Sequence, residues 1–190
     1  RKRPPDLYAG IGEICRELEY NPRMIIGTLN RLFKGDTDRK ISIASQIAAL
    51  QKTENAFSAL LNTISSSVEG CDTIYSFISL LAETISKKYI LGDKFYDEPK
   101  GVFFFQTEPS GELKKVVGEA LNAGALVYIE DANSNEFTIV NLQGKKFRLS
   151  NIFSHKYKLP LNKLGAVEYY KMLEKIEYNP RSISSQMELL

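Results

Sequence analysis

"GVFFFQTEPSGELKKVVGEALNAGALVYIED", Gly101 to Asp131, changes its periodicity twice. "GVFFFQ" is a short apolar, aromatic run with strand character. "SGELKKVVGEALNAG" then places Leu113, Val116, Val117, Ala120 and Leu121 three and four residues apart, which predicts a helix with one inward stripe. Gly124 is the residue expected just past its C-terminus. "ALVYIED" returns to a strand pattern.

Downstream, "ANSN" reads as a turn, "EFTIVNL" as a third strand, "QG" as another turn and "KKFRLS" as a further strand. Upstream, a helix is expected from Thr73 to about Ile90, with Ile74, Phe77, Ile78, Leu81 and Ile85 inward and Asp72 as its cap. Helix, strand, helix, strand, turn, strand is the order of a winged helix, in which a small hairpin packs on a helical core. Between Phe105 and Glu112 there is barely a turn where that arrangement has one more helix. "LPLNKLG" closes the domain, and residues 166–190 read as a helical tail.

The N-terminal third is helical throughout. Pro4, Pro5 and Asp6 form a helix entrance, and Leu7, Tyr8, Ile11, Ile14, Cys15 and Leu18 make one stripe. Asn21-Pro22 interrupts it, with Asn21 as the cap and Pro22 at the first position of a new helix. Met24, Ile25, Leu29, Leu32 and Phe33 supply that helix's stripe. "KGDTDRK" is a polar turn. Residues 42–64 read as one broken or two adjacent helices, and "SSSVEG" reads as a linker. The expected class is α+β, mainly α with a small β-hairpin or sheet. Its parts are a helical subdomain over 1–66, a winged-helix-like domain over 67–165 and the tail.

The pentapeptide "EYNPR" occurs twice, at Glu19–Arg23 and Glu177–Arg181. Both copies predict one joint: a helix ending at tyrosine, Asn as cap, Pro first in the next helix. The flanks do not align into a repeat. The first copy is followed by the apolar-striped "MIIGTLNRL", the second by the polar "SISSQMELL". On the residues alone Arg23 reads as a salt-bridged or solvated side chain, and Arg181 as structural or solvated.

A net charge of +2 over 190 residues creates no global field toward nucleic acid or anionic membranes, so any such contact needs a local patch. Cys15 and Cys71 have no disulfide-framework or zinc spacing and fit a reducing, cytoplasmic compartment. No apolar run approaches the roughly 20 residues that span a bilayer, and no membrane partner is expected. Starting at Arg1 and entering helical pattern almost at once, the chain reads as a fragment of a longer protein.

Catalytic machinery is not legible. No GxxxxGK[ST] loop occurs, and Gly118, Gly124 and Gly144 lack its spacing. His155, the only histidine, sits in "NIFSHKYKLP" without a nucleophile motif, and no metal-ligand cluster is evident. The reading assigns no catalytic residue and no metal, and expects no independent enzyme. Lys114 and Lys115 before the hairpin, with Lys145, Lys146 and Arg148 on the later strand, are candidates for contacting double-stranded DNA. Lys156 and Lys158 follow. Glu130, Asp131 and Glu136 on the expected wing would repel phosphate, so a solvated face of a protein-interaction module stays open.

"ICRELEYNPRMIIGTLNRL" resembles the lid segment of AAA+ ATPases, where a G-[TND]-P-R stretch followed by spaced apolar residues supplies the second sensor arginine. "KKFRLSNIFSHKYKLPLNKL" resembles the end of the winged helix in bacterial ATPases related to the origin-recognition and replication-licensing group. The resemblance covers about residues 5 to 165, in the order lid, then winged helix. It implies a lid that folds over a nucleotide held by a preceding P-loop domain of the same parent chain, with Arg23 alone toward the terminal phosphate. ATP and magnesium would belong to the parent and no cofactor to this fragment; DNA or other protein subunits would be further partners. Two positions depart from the pattern: Tyr20 stands where the family has glycine, and Asn162 where an "LPLR" run has its arginine. The alternatives are a stand-alone winged-helix DNA-binding module and an oligomerisation scaffold without nucleic acid.

Overall fold

The computed structural model describes residues 9–34, 41–91, 99–129, 141–162 and 164–174. Two short helices come first, α1 (Ile11–Glu17) and α2 (Pro22–Leu32). Helix α1 ends at Glu17 rather than at the expected Tyr20, and the Asn21 cap and Pro22 start of α2 are as the sequence predicts. The Asn21 side chain accepts from the amides of Arg23 (3.1 Å) and Met24 (3.4 Å), and Pro22 occupies the first helical position. Residues 43–61 form one unbroken helix, α3 (Ile43–Leu61), capped by Ser42. Buried Thr28 and Thr53 share a hydrogen bond of 2.7 Å that ties α2 to α3.

"SSSVEG" is a structured turn. The amide of Ile74 donates to the Ile64 carbonyl and that of Ser66 to the Asp72 carbonyl, so α3 and α4 (Ile74–Ile85) are pinned together. The cap of α4 is Thr73, not Asp72: Thr73 and Ser76 form a reciprocal capping box. A π-helical turn, Ser86–Ile90, continues α4.

A four-stranded mixed sheet follows, from β1 (Lys100–Phe104), β2 (Leu126–Ile129), β3 (Lys146–Leu149) and β4 (Gly165–Glu168), in the spatial order β2-β3-β1-β4. Helix α5 (Gly111–Asn122) joins β1 to β2 and ends on Gly124. The Gly124 and Ala125 amides reach back to the Leu121 and Ala120 carbonyls, with Gly124 at φ 77°. Strand β2 pairs antiparallel with β3, Leu126 opposite Leu149. "EFTIVNL" lies outside the described residues except Asn141 and Leu142, as do Glu130, Asp131, Glu136 and the second EYNPR. After β3 come a 3-10 turn (Asn151–Phe153) and the short α6 (Ser154–Tyr157), then β4 and α7 (Tyr169–Leu173).

Strand β4 runs parallel to β1 across the boundary expected at 165, so residues 166–168 belong to the sheet ahead of α7. One core spans helices and sheet: Ile14, Leu18 and Phe57 belong to the same buried cluster as Phe77, Phe103, Phe147 and Phe153. Burying each large side chain contributes roughly 1.5–3 kcal/mol. Phe103, Phe105, Phe147 and Tyr169 stack on one sheet face, and Phe57 of α3 meets Phe153 at 5.8 Å between ring centroids.

Candidate functional site

The first EYNPR is where the helical part grips the sheet. Helix α1 ends with two non-glycine residues in the left-handed region, Glu19 at φ 53° and Tyr20 at φ 54°. The amides of Glu19 and Tyr20 donate to the Arg16 and Cys15 carbonyls, the pattern in which glycine is favoured. An L-residue in this region costs about 1–2 kcal/mol. At position 19 the side chain gives a reason for tolerating that cost. The Glu19 carboxylate receives both Arg148 Nη1 (2.6 Å) and Nη2 (2.8 Å), and the Asn151 amide (2.6 Å). At Tyr20, exposed and left-handed, the glycine of the family pattern has a plain conformational rationale.

Further bonds fix the same dock. Asn151 Nδ2 donates to the Arg16 carbonyl (3.1 Å), and Arg16 Nη2 donates to the Leu161 carbonyl (3.0 Å) and Asn162 Oδ1 (3.2 Å). Asn162 thus accepts from an arginine where the pattern carries one. Nearby, a cavity of about 300 Å3 lies between Ile85, Val102, Leu159 and Leu164, with Arg148 and Asn151 at its polar side.

On the far side of the joint stands Arg23, in the first turn of α2 and exposed. Among the described residues its side chain has no ion pair. Residues 23, 26, 30 and 33 fall within one strip of the α2 surface at about 100° per residue, and Arg23, Ile26, Asn30 and Phe33 are all exposed. Tyr20 adds a third exposed apolar group at the entrance.

The five basic residues expected to contact DNA do not form one row. Lys146 and Arg148 alternate with buried Phe147 and Leu149 on β3, so they point away from the sheet face that holds the aromatic core. Lys114 and Lys115 ride on α5, which packs Leu113, Val116, Val117 and Ala120 into that core. Arg148 is held by Glu19, and Lys114 Nζ lies 2.6 Å from Glu108. Glu108 also accepts the Leu142 and Gln143 amides, and Lys114 together with these amides holds its carboxyl below the usual carboxylate value. Lys115 is exposed, 4.0 Å from Glu119. Lys145 lies over the Tyr128 ring. The Glu19–Arg148 pairing, 129 residues apart, left no trace in sequence spacing.

Cys15 and Cys71 are free thiols, and no group of three or more metal-ligating side chains occurs among the described residues. No described helix is long and apolar enough to cross a membrane.

The architecture defines an α+β protein: a helical bundle carrying a small mixed sheet, with an arginine displayed at a capped helix start. The chain matches the family model of ORC-CDC6-like proteins over residues 1–168 and belongs to that family. It is thereby an AAA+ ATPase-related protein. No curated protein and no solved structure matches it.

Proposed function

We propose that this chain is the lid and winged-helix-like portion of an AAA+ ATPase, in which Arg23 senses the terminal phosphate of ATP bound to a P-loop domain of the same parent. The observation that carries this is the placement of Arg23. It stands in the capped first turn of α2, exposed, on the strip that also exposes Ile26 and Phe33. A helix N-terminus and a guanidinium both favour a phosphate group, and the flanking apolar residues suit a docked domain. In this reading Arg23 is the lid-side contact, and ATP and magnesium would be held by the parent's P-loop domain. Closing of the lid would then couple nucleotide state to the position of the sheet, because Glu19 ties the joint to Arg148. Arg23→Ala in the parent is the test: hydrolysis falls if the reading holds and is normal if it fails.

The winged-helix-like part engages a protein surface in this reading. On α5, exposed Glu112 and half-buried Glu119 accompany Lys115, a mixed rather than basic surface. Binding to duplex DNA that weakens steeply with salt would instead favour the DNA reading. The two free thiols suit a reducing, cytoplasmic setting.

A further inference from the structure

The same α1 dock contains an acid with no counter-charge among the described residues. Glu17 is 1% exposed, and its Oε1 has no hydrogen-bond partner. It lines a cavity of about 10 Å3 with Leu50, Gln51 and Glu54 of α3, Ile152 of the 3-10 turn, and His155 and Lys156 of α6. A space of that size admits nothing larger than about one water. No organic ligand fits, and a proton is the ligand that the side chain itself takes.

The surrounding charges are already committed. Lys156 Nζ contacts Glu54 Oε1 at 3.4 Å and the Tyr75 hydroxyl, and it lies over the Tyr75 and Tyr157 rings. Glu54 Oε1 accepts from Ser58 Oγ at 2.7 Å. Glu13, one turn back on α1, pairs with Arg16. His155 faces the cavity from α6 and has an interaction partner of its own. Glu17 therefore sits with two other acids, Glu13 on its own helix and Glu54 across the cavity. Burial first, and the Glu13 charge second, push its carboxyl up to about 8.

We propose that Glu17 is a proton-operated latch on the α1 dock: protonated, it lets α1 seat against the 3-10 turn and α6; ionised, it lifts the last turn of α1 and releases the Glu19–Arg148 clamp. Ionisation would place an uncompensated charge in the core interface, and the cheapest relief is for that turn to move toward water. Glu19 lies two residues on, and its bonds to Arg148 and the Asn151 amide are the first to be strained. The latch stands independently of the nucleotide reading, because it uses only groups within this chain.

Amide exchange of the chain at Asn151, normalised to the intrinsic rate at each pH, reads the latch. Protection should fall at least about tenfold between pH 7 and pH 9 in the wild type and stay level in Glu17→Gln. Constant protection in the wild type, or an equal fall in Glu17→Gln, overturns the proposal. Should Glu17→Gln fail to fold, the 13C carboxyl resonance of Glu17 in the wild type decides. A midpoint near pH 8 supports the latch, and one below pH 6 overturns it.

Discussion

Glu19 and Arg148 are joined through both terminal guanidinium nitrogens, at 2.6 and 2.8 Å, across 129 residues of sequence. Their side chains are only 24% and 29% exposed, and the Asn151 amide shares the carboxylate. One left-handed glutamate thus connects the turn between two helices to a strand of the sheet.

Removing either partner leaves the other's charge half-buried without its counter-charge. Glu19→Gln or Arg148→Met is expected to lower stability by about 2 kcal/mol, the range of a charge-assisted bond set. The double variant should lose less than the sum of the two single losses. Urea unfolding of the four proteins in a double-mutant cycle checks this.

Tyr20 carries the conformational cost without the compensation. Tyr20→Gly relieves about 1–2 kcal/mol of left-handed strain and gives back about 0.5–1 kcal/mol in unfolded-chain entropy. The expected outcome is stability unchanged or raised by up to about 1.5 kcal/mol, whereas a β-branched Tyr20→Val lowers it. Denaturation midpoints measure both.

Glu108 sets an acid-side dependence. Its carboxyl is lowered in the folded state, chiefly by the bond from Lys114, so its contribution is present above the ordinary carboxylate value and is lost as pH falls through the folded one. Glu108→Gln should be less stable than the wild type at pH 7, and the gap should shrink as the pH falls below the ordinary carboxylate value. A gap that does not change with pH in acid unfolding titrations would assign Glu108 a role other than its charge.

The long periodic elements were readable. Helices α4 and α5 show their stripes, Asn21-Pro22 marks its joint, and Gly124 marks its stop. Strand β4 was not, because four residues, "GAVE", put only two on each face and its partner β1 lies far upstream. Asp72 and Thr73 are both good caps, and only the Ser76 side chain, returning a bond to the Thr73 amide, decides between them. Arg148 looked like a free cation because charge pairing across 129 residues has no local signature. Glu17 did leave a signal: it lies three residues after Ile14 and beside Leu18, inside the apolar stripe, where an acid is out of place.

The proposed nucleotide-sensing role of Arg23 is tested most directly by ATP hydrolysis in the proposed parent ATPase. Arg23→Ala should reduce the rate at least about tenfold, or about 1.4 kcal/mol of transition-state stabilisation. Arg181→Ala, in the second EYNPR, should leave the rate unchanged. Normal hydrolysis with Arg23→Ala would contradict the sensor assignment.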